Sequence, residues 1–366
     1  QRQMCIRDRI ELVKNILDEK CFNIGNRSEA IKKAISNAEP NEIILIAGKG
    51  HEVKQIYKNN VFSFSDRQTA KKLKVKIKIL SRKTQNYLHN KFILKKIIKN
   101  IRPSIFQGLA VDSRMVKKNN LFLTIKGKKN DGNKFIADAL KKGAKYIISS
   151  KVIKKYKKKT IIVKNEISFL NKFAKLKRKY SLAKIIGITG SAGKTSLKNL
   201  IKDLLQNFDE THFSPKSFNN HFGVPISLSN LNINNKFGIF EIGMSKAGEI
   251  NNLSKLIQPH IGIITNIGEA HIENFKNIKD IAKAKGEILD NIKKGGTIIL
   301  NRDDKFFSYL AGKAKFKKIK IVTFGKNKKS DVYPIKTSNN KNLIKMSVKV
   351  KDQNLDLSIK NINIYN

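Results

Sequence analysis

The stretch "KIIGITGSAGKTSLKNLI", Lys184 to Ile201, runs an apolar segment, a glycine-rich turn and a helical pattern in direct succession. Residues 184–189 are mostly β-branched and apolar, the pattern of a strand buried on both faces. Beyond the turn, Leu197, Leu200, Ile201, Leu204 and Leu205 recur at three- and four-residue spacing, as on the inner face of a helix. A strand that passes through glycines into a helix brings backbone N–H groups and the positive end of the helix dipole to one point, which is what a phosphate needs. The spacing is a variant, because the G-x-x-x-x-G-K-[ST] form requires glycine at 188 and the chain has Ile188. Gly190 and Gly193 still supply the turn, Lys194 reaches the β/γ region of ATP, and the Thr195 hydroxyl is placed for Mg²⁺. Thr189, Ser191 and Ser196 complete the expected ATP contacts.

Downstream, strand-like runs at 237–242, 261–267, 296–301 and 320–325 alternate with helical patterns near 194–207, 246–257 and 276–293. The alternation predicts an α/β fold: a central P-loop domain, its mostly parallel sheet flanked by helices. Alternating residues from Leu343 to Ile359, broken at "KDQN", predict a closing hairpin. Upstream, "NLFLTI" and "AKYIIS" around the helical "KFIADALKKGA" predict a smaller α/β domain. At the chain start, helical patterns at 10–19 and 27–37 precede the apolar run "EIILIA", Glu42 to Ala47, as in part of a further α/β domain.

The chain has 366 residues, 40% of them hydrophobic, enough for several cores. No apolar run reaches the ~18 residues of a membrane span and no signal peptide is visible, so a cytoplasmic protein without membrane insertion is expected. Cys5 and Cys21 form neither a CxxC pair nor a cluster with histidine, which argues against a disulfide framework or a zinc site. The formal charge is +48. Its lysines are dispersed along the chain among abundant Ile and Asn, as a general compositional bias produces, so salt-sensitive polyanion binding is expected but no specific nucleic-acid partner.

The T-G-S-x-G-K-T-S loop is similar to the ATP loop of the Mur ligases, the ATP-dependent amide-forming enzymes of peptidoglycan synthesis. Five further stretches follow in that family's order: "SFNNHFGVPISL" (217–228), "FEIGMSKAGEI" (240–250), "ITNIGEAHIENF" (264–275), "AKAKGEIL" (282–289) and "ILNRDD" (299–304). Residues 110–148 resemble the family's uridine-nucleotide-binding domain. The wording of "FEIGMSKAGEI" and "AKAKGEI" favours the member that joins D-alanyl-D-alanine to UDP-N-acetylmuramoyl-tripeptide through an acyl phosphate. Residues 26–74 resemble instead the carboxy-terminal end of the member that adds diaminopimelate, with Gly48 and Glu52 at the positions that contact the diamino acid.

The resemblance implies a fragment of a two-ligase fusion. Its expected parts are a foreign leader at 1–9, a partial carboxy-terminal domain of the preceding ligase at 10–79, a linker at 80–104, a UDP-substrate domain at 105–182 and the central ATP domain at 183–366. The family's following carboxy-terminal domain would be missing, so weak ligation by this chain alone is expected, from a monomer. The resemblance further implies Mg²⁺ ligation by Thr195, Glu241 and His271, catalytic roles for Lys194, Lys285 and His271, and a carbamate on Lys285, with Lys283 as the rival register. Asn301, with Asp303 or Asp304, would meet adenine or ribose. Asp112, Ser113 and Arg114 would lie by the uridine nucleotide, and Asn219 and Asn220 by the muramoyl-peptide, unless they serve as caps. Two other readings stay open: a basic P-loop ATPase that binds nucleic acid, and an inactive remnant.

Overall fold

The computed structural model describes residues 26–37, 54–57, 60–63, 65, 69, 82–98, 104–127, 130–270, 272–340 and 343–360. The chain divides into two compact units, 1–81 and 82–366. In the first, helix α1 (Arg27–Asn37) starts where Asn26 Oδ1 accepts from the Ser28 and Glu29 amides, and strands β1 (Lys54–Tyr57) and β2 (Asn60–Ser63) pair antiparallel. The helix expected at 10–19, the strand at 42–47, the cysteines and the pair Gly48 and Glu52 lie outside the described residues.

The second unit opens with helix α2 (Arg82–Ile97), inside the stretch expected as a linker. That expectation is corrected: Ile93 and Leu94 are fully buried among Phe106, Leu121, Leu170 and Phe173. The helix passes for a linker in sequence because it is rich in lysine and its buried stripe includes His89 and Asn90 as well as apolar side chains. Four parallel strands follow in spatial order β3 (Gly108–Ala110), β4 (Asn120–Leu123), β5 (Tyr146–Ser149) and β6 (Thr160–Ile162). Helix α3 (Ile136–Lys141) covers one face, and α4 (Glu166–Tyr180) covers the other with Phe169, Leu170 and Phe173.

The larger sheet has nine strands in the order β15-β14-β13-β12-β11-β10-β7-β9-β8. The strands β7 (Lys184–Thr189), β8 (Thr211–Phe213), β9 (Phe237–Glu241), β10 (Ile261–Ile264), β11 (Thr297–Asn301) and β12 (Lys320–Phe324) run parallel. The expected hairpin is the outer pair of an antiparallel meander, β13 (Val332–Asn340), β14 (Leu343–Val350) and β15 (Gln353–Lys360). Helix α5 (Lys194–Gln206) packs Leu197, Ile201 and Leu205 over Ile186, Ile188, Ile239 and Ile263. Only this i, i+4 subset of its expected apolar face is inward; Leu200 and Leu204 face solvent. The opposite face is covered by α6 (Gly223–Ser229), α7 (Glu249–Ile257) and α8 (Ile278–Lys285).

β7 is adjacent to β9 on one side and β10 on the other, while the chain leaves it for the outermost β8. The sheet order therefore reverses at β7, and the crevice at the carboxyl ends of such strands is where α/β sheets bind ligands. Asn230 and Arg178 are among the side chains that join the domains. Asn230 accepts from the Leu109 amide and donates to its carbonyl, each at 2.9 Å, completing the exposed edge of β3. Arg178, buried at the end of α4, donates to the carbonyls of Ile257 and Gln258 where α7 terminates.

Candidate active site

At the end of β7 the chain turns through Gly190 (φ +146°) and Gly193 (φ +78°). A Cβ on Gly190 would lie 1.8 Å from the Thr265 hydroxyl, so this position admits no side chain. The loop is clamped by the segment after β10. The Ser191 and Ala192 amides donate to the carbonyl and Oδ1 of Asn266 at 3.0 and 2.9 Å, and Thr265 Oγ1 donates to the Ala192 carbonyl at 2.6 Å. The Ser191 hydroxyl donates to the Gly268 carbonyl and accepts from its amide. Ser191, expected at the nucleotide, is thus engaged as an anchor, and Thr189 is fully buried in the strand. The open donors are those of the first helical turn, Lys194, Thr195 and exposed Ser196, whose amides have no acceptor within the helix. Lys194 Nζ lies over the loop, 2.7 Å from the Gly190 carbonyl.

Beside the loop sits one buried carboxylate. Glu241, 1% exposed at the end of β9, accepts from Thr195 Oγ1 and from Asn219 Nδ2, both at 2.8 Å. Lys198 Nζ, one helical turn beyond Lys194 and equally buried, lies 3.7 Å from the same carboxylate and donates to the Lys216 carbonyl. Asn219 and Asn220 part company here. Asn219 joins Glu241, whereas Asn220 Oδ1 accepts from the Phe222 and Gly223 amides and so caps α6.

Lys285 is 2% exposed at the end of α8, and burial followed by repulsion from Lys194 lowers its pKa to about 8. Lys283 points outward and pairs with Asp280 at 3.1 Å. Lys194 and Lys198 thus face a single carboxylate and Lys285 lies near Lys194, an excess of positive charge suited to a polyphosphate. His271 lies outside the described residues. Among the described residues no cluster of three His, Cys, Asp or Glu side chains forms a self-contained metal centre.

Asn301 and Asp303 stand at the end of β11, beyond β10 from the loop. The Asp303 carboxylate accepts from the Lys326 and Asn327 amides and so braces that turn. Asp304 likewise accepts from the Ile267 amide at 2.6 Å and braces the segment that clamps the phosphate loop.

In the smaller domain a cavity of about 370 Å³ is lined by Val111, Asp112, Ser113, Arg114, Ile125, Asn130, Gly132 and Phe135. It collects the three residues expected by the uridine nucleotide. Asp112 accepts from the Arg114 amide and holds its guanidinium at 2.7 and 2.9 Å, and Ser113 is buried. The Arg114 hydrogen bond is the main cause that keeps the Asp112 carboxyl below its ordinary range. The sequence reading overlooked Thr265, Asn266 and Lys198. The first two lie inside the quoted "ITNIGEAHIENF", and Lys198 is at i+4 from Lys194, which puts it on the same helix face.

Residues 188–366 match the family model of the Mur ligase middle domain, and residues 105–178 match that of the Mur ligase family catalytic domain. The UDP-N-acetylmuramoyl-tripeptide–D-alanyl-D-alanine ligase of Rickettsia prowazekii is 39% identical over 221 residues, covering 60% of this chain and 49% of that protein. The ligase of the same name from Bacillus subtilis is 32% identical over 55% of this chain and 44% of its own length. The chain thus spans about half the length of the curated relatives it matches. Among solved structures, MurF from Acinetobacter baumannii superposes with a TM-score of 0.65 at 25% identity, covering 74% of this chain and 60% of that one. The Thermotoga maritima MurF ligase in complex with ADP gives 0.59 at 26%, covering 69% and 58%.

Proposed function

The chain belongs to the Mur ligase family, and from that premise we propose that it is an ATP-dependent ligase of peptidoglycan precursor synthesis. It joins the amine of D-alanyl-D-alanine to the terminal carboxylate of UDP-N-acetylmuramoyl-tripeptide, as a cytoplasmic monomer. The observation that carries this reading is the buried carboxylate of Glu241, which accepts from Thr195 of the phosphate loop and from Asn219 of the segment leading toward the smaller domain.

Carboxylate activation by phosphoryl transfer brings two anions together, so it depends on positioning and charge neutralisation. Lys194 and the first-turn amides of α5 take the ATP phosphates, and Lys198 offsets the added negative charge. The substrate carboxylate oxygen takes up the γ-phosphoryl group, releasing ADP. The amine of the dipeptide then attacks the acyl phosphate, phosphate leaves, and an amide and a proton result. Thr195 Oγ1 and the Glu241 carboxylate, hard oxygen donors 2.8 Å apart beneath the loop, fit Mg²⁺, with His271 assigned to a second ion. When bound, the metal supplies neutralisation of the phosphate charge. The lowered pKa of Lys285 gives it the neutral amine fraction that addition of carbon dioxide requires, and we assign the carbamate there. Asn301 is assigned to the adenosine end, the 370 Å³ cavity to the uridine nucleotide, and Gly48 with Glu52 to the diamino acid site of a preceding ligase.

The test is phosphate release from ATP by the chain extended to the full length of its relatives, with the two substrates and a Lys194→Ala control. Release that requires both substrates and vanishes in the control is expected, with weak turnover by residues 1–366 alone. Release that ignores both substrates and rises with DNA or RNA would instead support a basic nucleic-acid-binding ATPase.

A further inference from the structure

Lys216 has φ +47°, a left-handed conformation that side chains other than glycine, asparagine and aspartate adopt rarely. It follows Pro215 in the turn after β8, and its carbonyl accepts from the buried ammonium of Lys198. That ammonium also faces Glu241 at 3.7 Å. One buried cation therefore joins the carboxylate beside the phosphate loop to an unusual turn on the substrate side.

The turn leaves the Lys216 side chain exposed at the face where the two domains meet. Pro215 and Phe218, on either side of it, line a cavity of about 420 Å³ together with Val111, Asp112 and Met115 of the smaller domain. Val111 and Asp112 are shared with the 370 Å³ cavity. The Lys216 charge is one of those holding the Asp112 carboxyl below its ordinary range, after the larger effect of Arg114. Of the other cations here Arg114 is committed to Asp112, Lys194 to loop carbonyls and Lys198 to Glu241 and the turn, while Lys117 lines the cavity from the smaller domain. Lys216 has no anionic partner among the described residues.

We propose that Lys216 is an anion-binding residue of the cleft between the two domains, taking a diphosphate or carboxylate oxygen of the nucleotide-linked substrate, and that Lys198 is the positioning residue that sets it. The proposal rests on the ligase reading and adds to it a residue and a coupling. Through Lys198, the turn that presents Lys216 is fixed relative to Glu241, so the substrate's anion and the ATP phosphates are held at a set separation. A lysine whose backbone is pinned in this way loses less freedom on binding than one on a mobile loop.

The experiment is calorimetric titration of the whole chain with UDP and with UDP-N-acetylmuramoyl-tripeptide, for the wild type, Lys216→Met and Lys216→Arg. Loss of one charge-assisted contact predicts about tenfold weaker binding in Lys216→Met, largely restored by arginine. Weakening of both ligands identifies the diphosphate as the contact, and weakening of the tripeptide ligand alone identifies a carboxylate. Unchanged affinities in Lys216→Met, with the wild type binding, overturn the proposal and leave the ligase reading standing. Failure of the wild type to bind either ligand overturns both. Lys198→Met should weaken binding by a similar factor, and adding Lys216→Met to it should cost nothing more. A further tenfold loss in the double variant would show that Lys198 does not act through Lys216. Because Lys216 is exposed, its variants keep the test independent of whether Lys198→Met folds.

Discussion

Replacing Glu241 with alanine removes the one acceptor to which three groups are turned. Thr195 and Asn219 each lose a 2.8 Å hydrogen bond to a charged oxygen, and Lys198, 1% exposed, loses the carboxylate it faces. Breaking a buried ion pair from one side costs about 3–5 kcal/mol, because the surviving charge stays buried without compensation. Lys198 keeps its bond to the Lys216 carbonyl, so the lower part of that range, about 3–4 kcal/mol, is expected here. The second arm is Lys198→Met in the Glu241→Ala background. Removing the stranded ammonium should recover about 1–2 kcal/mol, so the double variant should be more stable than Glu241→Ala. The chain contains no tryptophan, so urea unfolding is best followed by far-ultraviolet circular dichroism. A Glu241→Ala variant within 1 kcal/mol of the wild type, or a double variant less stable than the single, would refute the reasoning. Either result would mean that water or rearrangement solvates Lys198 and that the carboxylate is not the node of this site.

Asn230→Ala should destabilise the chain by about 2 kcal/mol, since it strips both main-chain groups of Leu109 of their partner at the domain junction; an unchanged urea midpoint would remove that junction from the account. With labelled bicarbonate, a carbamate carbon resonance should persist in Lys283→Ala and disappear in Lys285→Ala, and the reverse pattern would return the register to Lys283. His89 is 2% exposed with both ring nitrogens unpartnered, and burial followed by repulsion from Lys177 lowers its pKa to about 3. Its folded-state pKa is below the unfolded value, so the unfolded chain binds the proton first. Stability from this group is full above about pH 6.5 and falls as pH drops toward 3. His89→Phe should remove about 1 kcal/mol per pH unit from the acid slope, measured by urea unfolding from pH 6.5 to 5; an unaltered slope would place the titration elsewhere.

Local pattern was enough for much of this protein. The segment 184–201 declares its strand, glycine turn and helix because each depends on near neighbours: β-branched residues for the buried strand, positive φ at Gly190 and Gly193, and 3.6-residue spacing in α5. The P-loop class, the parallel alternation and the pairing of 343–350 with 353–360 follow from the same kind of signal. What local pattern could not fix is which of several chemically equal neighbours faces inward. Leu200 and Leu204 match the apolar spacing of α5 yet face solvent, because a helix on a sheet buries only one stripe. Asn219 and Asn220 are the same residue type one position apart, and only the approach of β9 gives the first to Glu241 and leaves the second to cap a helix. Lys285 and Lys283 separate in the same way, one buried at the end of α8 and one in water. Helix α2 reads as a linker because two of its buried positions are polar, and one of them, Asn90, is held by a lysine 87 residues away in α4 that donates to it. Periodicity is set within a few residues, whereas a partner is chosen by whatever the folded chain brings alongside, and that choice exists only in three dimensions.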